Sequence, residues 1–259
     1  MKDTAQKPTL VEASKIRKSF FVRTATIEVL HSVDLSIQQG EFLVIYGPSG
    51  CGKSTLLHII LGLELPSSGN IRFNRVDLYG SLSEDERANL RKKSIGMVYQ
   101  QPNWIKSLTV YQNIMFALKL NGVSDNEAAS RATDVLELVQ MSDWSDYFPM
   151  ELSSGQQQKV SLARAIVTDP EIIIADEPTG NLDYESGEEL MKLLKELNEK
   201  GKTVVMVTHD LEYLKYAERA VQMFNGKIVE EIDNPKKKLS QFLTLKRGLD
   251  EKELANGSK

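Results

Sequence analysis

One cysteine in 259 residues, Cys51, has no partner for an intramolecular disulfide, so packing and hydrogen bonds must hold the fold, as expected of a cytosolic chain. No window approaches the roughly 20 apolar residues that span a bilayer. The opening MKDTAQKPTLVEAS also lacks the apolar stretch of a signal peptide. If the protein works at a membrane, a partner is expected to hold it there. A large excess of one charge sign is missing too: 32 basic and 36 acidic side chains leave a net charge of -4. Nothing in that balance advertises a nucleic-acid surface, and no nucleic-acid partner is expected. There is no internal repeat and no N-K-x-D tetrad for guanine. What is present is a 41% hydrophobic composition, enough to bury a full core as one large domain or a core with an inserted subdomain.

Residues 1 to about 12 are polar and aperiodic and are expected to fray. Val33-Asp34-Leu35-Ser36-Ile37 then alternates as a half-buried strand does. Residues 41–46 form a short apolar run closed by Gly47, and 53–61 carry the spacing of a helix, giving a strand, loop and helix unit. Thr109 with Gln112, and Ser124 with Glu127, each match a capping box, opening apolar-periodic stretches at 110–120 and 125–141. Two successive helices without a strand between them suggest an inserted helical subdomain. A further helical pattern follows Ser153 and runs to Pro170, before Ile172-Ile173-Ile174-Ala175 reads as a strand buried on both faces. Leu190, Leu193, Leu194 and Leu197 share a helix face ended by Gly201, and 203–208 is again β-rich. This alternation implies a largely parallel α/β sheet. Asn225-Gly226 between two short apolar runs signals a hairpin.

Four segments carry chemistry. Gly47-Pro48-Ser49-Gly50-Cys51-Gly52-Lys53-Ser54 fits G-x-x-x-x-G-K-[ST] between a predicted strand and helix. Its glycines let backbone N–H groups turn inward around phosphates, the helix N-terminus adds positive potential, Lys53 reaches the β and γ phosphates, and the Ser54 hydroxyl can ligate Mg²⁺. Asp176 and Glu177 follow a buried strand, where ligands sit in open parallel sheets. Asp176 is expected to hold Mg²⁺ and Glu177 to polarise an attacking water. His209 follows the strand 203–208 and so points towards the same edge, either as a γ-phosphate contact or as a structural strand end. Leu152-Ser153-Ser154-Gly155-Gln156 opens a predicted helix, and by itself reads first as an ordinary N-cap and second as an anion-binding helix end that serves another molecule's nucleotide.

With these residues in their order, the chain resembles the ABC ATPase family over about residues 10–231. GPSGCGKST, residues 47–55 with Thr55, resembles the Walker A loop, IIIADEP the Walker B strand, and LSSGQ the family signature. Asn181-Leu182-Asp183 resembles the D-loop and His209 the switch histidine. Gln100, in MVYQQPN, matches the Q-loop glutamine that links the Mg²⁺ site to the helical subdomain, and Phe20, in KIRKSF, is the best match to the aromatic that stacks on adenine, with its neighbour Phe21 as the alternative and a core aromatic as the competing reading. ADEPTGNLD and YQQPNWIKSLTVYQNI look most like the lipoprotein-release, macrolide-export and cell-division ATPases. The resemblance implies a RecA-like P-loop core with a mostly parallel sheet, an N-terminal antiparallel β subdomain and a helical subdomain inserted at about 101–155. ATP and Mg²⁺ are the implied cofactors.

One phosphate loop and one signature per chain imply that a second copy completes the site, with Ser153, Gly155, Gln156 and Asp183 of one copy facing ATP on the other. The resemblance further implies a separate integral membrane partner with a large extracytoplasmic domain, docked near Trp104 and Ile105 from the cytoplasmic face. Ser154 stands where the family usually has glycine and Lys159 where arginine is frequent, so altered rate or coupling is expected, with nucleotide binding kept. Residues 232–259 form an extension without a family counterpart. Its Lys236 to Lys238 and Leu239, Phe242 and Leu243 are either a docking element or a solvated tail. A soluble ABC ATPase of DNA repair or translation would need a long coiled-coil insertion or two cassettes, and neither is visible. A small-molecule kinase or GTPase would leave LSSGQ and His209 unexplained.

Overall fold

A computed structural model describes residues 7–236, in which the chain builds two sheets and one helical layer. It opens with the long hairpin β1 (Thr9–Val22) and β2 (Ala25–Gln38), followed by β3 (Phe42–Tyr46) and α1 (Lys53–Ile60). Next come β4 (Ser68–Phe73), β5 (Val76–Asp77), α2 (Glu84–Ser94) and β6 (Ile95–Tyr99). The α-helices α3 (Val110–Lys119) and α4 (Asp125–Leu138) are inserted there, and α5 (Ser154–Ile166) follows and packs between them and β6. The described chain closes with β7 (Ile172–Asp176), α6 (Tyr184–Glu199), β8 (Thr203–Thr208), β9 (Arg219–Phe224) and β10 (Lys227–Asp233).

The larger sheet has the order β10-β9-β3-β8-β7-β6, parallel throughout except for its β10 edge. Its central strands are the continuous apolar runs, because a strand covered on both faces needs apolar residues at every position. Alternate residues feed two cores. Phe42, Val44, Ile173, Ala175, Val204 and Met206 face the helices, while Leu43, Ile45, Ile172, Ile174, Val205 and Val207 pack towards α1 and the antiparallel sheet β2-β1-β4-β5. The α/β class, the mostly parallel sheet, the N-terminal antiparallel layer and the inserted helices all match the expectation.

Local signals resolve as read in two places. Thr109 Oγ1 accepts from the N–H of Gln112, whose side chain accepts from the N–H of Thr109, and Asn225 and Gly226 both take positive φ (46° and 71°) in the β9–β10 hairpin. Elsewhere tertiary or neighbouring contacts prevail. Residues 9–12 do not fray but form the start of β1, where Leu10 and Val11 are buried because β1 lies between β2 and β4. Ser124 occupies the N-cap of α4 without a side-chain cap bond, and Glu127 pairs with Arg131 at 2.6 Å one turn on. The helix opened by Ser153 stops at Ile166, ahead of Asp169 with φ 57°, and not at Pro170. β10 continues to Asp233, two residues past the boundary expected at 231. Of the basic and apolar residues singled out beyond it, Lys236 is described, whereas Lys237, Lys238, Leu239, Phe242 and Leu243 lie outside the described residues.

Strand register aligns the exits of four strands. Tyr46 pairs with Thr208, Asp176 with Val207, and Tyr99 with Asp176. The following residues, Gly47, His209, Glu177 and Gln100, therefore leave the sheet along one edge. Edge strand β6 is held there by α5, and Gly96 permits the approach, since a Cβ at that position would lie 2.4 Å from the Ala165 carbonyl oxygen. Gly96→Ala is expected to destabilise the fold by about 1–3 kcal/mol through this backbone collision. Urea denaturation should show a lower midpoint at an unchanged slope, and an unchanged midpoint would mean that β6 and α5 can part freely.

Candidate functional site

The loop 47–52 turns sharply because its glycines allow it. Gly47 adopts φ 153° with a would-be Cβ 2.1 Å from the Met223 carbonyl oxygen, and Gly52 adopts φ 104° directly before α1. The N–H of Gly226 bonds the Cys51 carbonyl at 3.0 Å, tying the loop to the β9–β10 turn. Cys51 is buried, and Pro48, Ser49 and Gly50 are exposed. α1 begins with no side-chain cap and no acidic residue in its first turn, so the positive end of its dipole is unopposed there. Lys53 is only 5% exposed, and its ammonium donates to the carbonyls of Gly47 (2.9 Å) and Pro48 (3.0 Å). Ser54 is exposed beside it, and Thr55 is half-buried.

Across β8 lie the two carboxylates. Asp176 ends β7 with Oδ1 buried and without a hydrogen-bond partner. Burial raises its carboxyl pKa and the Glu177 charge adds to the rise, while His58 and Lys53 pull the other way. Glu177 adopts the left-handed region, φ 46°, a conformation that costs a non-glycine residue on the order of 1–3 kcal/mol. Its N–H bonds the Val207 carbonyl at 2.9 Å, which fixes the turn against β8. The same turn brings Glu177 Oε2 within 3.1 Å of His209 Nδ1, and an ionised carboxylate there accepts from a protonated Nδ1. Gln100 follows β6 and is exposed. Its amide covers Gly180, where a Cβ would come within 2.7 Å of Nε2.

Ser153, Gly155, Gln156 and Asp183 form a second cluster. Ser153 caps α5: its Oγ accepts from the Gln156 N–H at 3.3 Å, and the Gln156 side-chain oxygen accepts from the Ser153 N–H at 2.9 Å. Gly155 is buried against the start of α6, since a Cβ there would meet Ser186 Oγ at 2.7 Å. Asp183 caps α6 by accepting from the Ser186 N–H at 2.8 Å, and that bond holds its carboxyl below the usual range. Among the described residues no hydrogen bond joins 153–156 to the loop 47–55. Ser154 is exposed, and Lys159 pairs with Glu189 of α6 at 2.6 Å. Phe20 and Phe21 separate cleanly: Phe21 is 76% exposed, whereas Phe20 is half-buried with the Lys18 ammonium 4.8 Å from its ring centroid.

Sequence reasoning passed over Gln158. It lies on the buried face of α5, three residues after Gly155 and four before Leu162, in a stripe otherwise made of small or apolar residues. A polar residue in such a stripe was the available signal. Nearby, Trp104 Nε1 donates to the Gln157 side-chain oxygen at 3.0 Å, and Arg164 both donates to the Asn103 carbonyl at 2.7 Å and stacks 4.5 Å from the Trp104 centroid. Outside this contact a groove of about 240 Å³ between β6 and α3 exposes Ile105, Phe116 and Leu120.

Comparison with known proteins bears on the fold and the family. Residues 30–180 match the family model described as ABC transporter. An uncharacterised ABC transporter ATP-binding protein of Methanocaldococcus jannaschii is 43% identical over 224 residues, covering 86% of this chain and all of that protein. The lipoprotein-releasing system ATP-binding protein LolD of Colwellia psychrerythraea is 36% identical over 231 residues, 89% of each chain. Among solved structures, a dimeric ATP-binding cassette of Methanocaldococcus jannaschii, in a post-hydrolysis state with ADP and phosphate, superposes with a TM-score of 0.81 at 38% identity, covering 86% of this chain and 98% of that one. Motif order, sheet topology and relatives converge, and the chain belongs to the ABC transporter family as an ATP-binding cassette with ATPase activity of the translocase type.

Proposed function

We propose that two copies of this chain close around two ATP molecules and that the cycle of closing and opening moves a separate membrane subunit. The observation that carries this reading is the split between the two clusters: a phosphate loop with Asp176, Glu177 and His209 at one sheet edge, and a capped helix start at Ser153 with no bond to that loop. Each ATP is held by Lys53, Ser54, Gln100, Asp176, Glu177 and His209 of one copy and by Ser153 and Gly155 of the other. Gln156 and Asp183 shape the facing surface, and Phe20 supplies the adenine platform, with Phe21 directed away from it. The dimeric relative with ADP and phosphate supports the pairing.

The chain's own groups account for the chemistry. Lys53 exchanges its two loop carbonyls for phosphate oxygens, so its buried ammonium is satisfied with or without nucleotide. Glu177 orients and deprotonates the attacking water, and His209 fixes the carboxylate through Nδ1–H and, in its doubly protonated form, donates from its other ring nitrogen to the γ-phosphate. Mg²⁺ fits this donor set: Asp176 Oδ1 is buried without a partner, and no three His, Cys, Asp or Glu among the described residues converge into a protein-only cage. Mg²⁺ commonly takes few protein ligands and completes its shell with phosphates and water. Ser54, Gln100 and Asp176 would hold it, and when bound it would neutralise charge building on the phosphates.

The membrane partner, with a large extracytoplasmic domain, is proposed to dock in the groove at Ile105, Phe116 and Leu120, beside Trp104. No helix of the described residues is long and apolar enough to cross a membrane, so attachment at the cytoplasmic face falls to that partner. The ATPase domain is taken as 1–231, with the helical subdomain at about 101–155, and 232–259 as an extension.

Three outcomes follow. Glu177→Gln should bind ATP normally and lose about 10²- to 10⁴-fold in turnover. Nucleotide titration and phosphate release measure the two quantities, and full activity would remove Glu177 from the role of base. Asp176→Asn should weaken binding of ATP with Mg²⁺ yet raise the melting temperature of the nucleotide-free protein at neutral pH. The sign follows from its raised pKa: above the unfolded value the native state holds the extra proton, so stability falls as pH rises through the carboxylate range, and asparagine avoids that loss. The gain should shrink towards acid pH, and a lower melting temperature at neutral pH would contradict it. Finally, mixing Ser153→Arg and Lys53→Ala chains, each nearly inactive alone, should restore roughly a quarter of parental activity if sites act independently, because half the dimers then contain one intact site. No recovery in a confirmed mixed dimer would count against sites shared between copies.

A further inference from the structure

Gln158 is 2% exposed, and its side-chain nitrogen points at three backbone carbonyls: Tyr99 at 2.9 Å, Gln100 at 3.2 Å and Pro178 at 2.9 Å. Two N–H protons are shared among those three acceptors, which fixes the orientation of the amide. The acceptors belong to two different turns. Tyr99 and Gln100 mark the end of β6, and Pro178 follows Glu177 in the turn after β7. The amide oxygen, by contrast, is buried with no hydrogen-bond partner among the described residues. Burying such an oxygen costs about 1–3 kcal/mol, which a methionine of similar length would not incur. Packing therefore gives no reason for an amide here, and the contacts of its nitrogen do.

We propose that Gln158 is a positioning residue that clamps the exits of β6 and β7 together, setting the spacing between Gln100 and Glu177 from the helix that begins at Ser153. The clamp matters only if Glu177 and Gln100 act on ATP as proposed above, and it adds to that reading the device that keeps them in step. Gln157 and Arg164 extend the same attachment to Asn103 and Trp104. A shift of α5 thus carries the whole stretch 99–104 with it, and through Pro178 it pulls on the turn that holds Glu177 in its left-handed conformation.

Gln158→Met in the full-length chain tests this, since it keeps the side-chain length and removes the donor. Turnover is expected to fall on the order of 10- to 100-fold, as a misplacement near 1 Å can cause, while affinity for a fluorescent ATP analogue stays within about threefold. Gln100→Ala should cost far less in the Gln158→Met background than in the parent, because a Gln100 side chain already displaced by loss of the clamp has less left to lose. Parental turnover in Gln158→Met, affinity falling in step with turnover, or independent effects of the two changes would each overturn the proposal. If Gln158→Met does not fold, Gln158→Asn, which withdraws the donor by one methylene, is judged by the same criteria. Failure of both to fold would make Gln158 a stability residue and overturn the clamp. Glu177→Gln is assayed in parallel. Full turnover there would sink the assignment of Glu177 and the clamp with it, whereas an inactive Glu177→Gln beside a fully active Gln158→Met would sink the clamp alone.

Discussion

The parallel register of β3, β8, β7 and β6 is the constraint on which the rest of this molecule depends. Because Tyr46, Thr208, Asp176 and Tyr99 end their strands nearly level, four loops of unrelated sequence open at one edge. Antiparallel strands would have sent every second loop to the opposite edge. Parallel pairing in turn requires both faces of the sheet to be covered, which is why the helical layer and the antiparallel sheet are both needed. Register slips are strongly opposed, since moving a strand by one residue would exchange the side chains that fill the two cores.

That edge concentrates charge that would be unfavourable elsewhere. Asp176 and Glu177 are adjacent, partly desolvated and mutually repulsive, and burial already raises the Asp176 pKa. The compensation comes from the Lys53 ammonium, His58, the uncapped start of α1 and the His209 contact. Glu177 adds backbone strain, held by its bond to Val207. A site that stores repulsion and strain in the free protein gains most when a polyanion and cation arrive, so the cost in resting stability and the capacity for binding have the same origin.

How much of this could be read from the chain depended on how local each cause was. GPSGCGKST and the buried strand before Asp176 were legible because a loop between strand and helix is specified by contiguous residues, as was the hairpin at Asn225-Gly226. The start of β1 was not, because Leu10 and Val11 are buried by partners about 25 and 60 residues away. Ser124 matched a capping pattern that Glu127 abandons for Arg131, two choices that sequence spacing cannot rank. Phe20 and Phe21 were inseparable in the sequence yet differ in the strand, because neighbouring side chains point to opposite faces and only Phe20 shares a face with Lys18. Gln158 escaped because its partners are backbone carbonyls, which carry no residue-type signature.

Ser153 illustrates why a bland reading and a functional one need not compete. As the N-cap of α5 its oxygen accepts the Gln156 N–H, but a hydroxyl also carries a proton to donate and has a second lone pair. Capping therefore orients the side chain at a helix start without exhausting it, and leaves an O–H able to meet a phosphate oxygen of another copy. The neighbouring Gly155 lets α5 press against Ser186 at the start of α6, whose own cap is Asp183. Two helix N-termini with their positive dipole ends are thereby brought side by side on one surface. Among the described residues no hydrogen bond joins the start of α5 to the phosphate loop. On the proposed pairing the anion is supplied by a second copy, and the packing of α5 on α6 would then shape an interface while it stabilises the monomer.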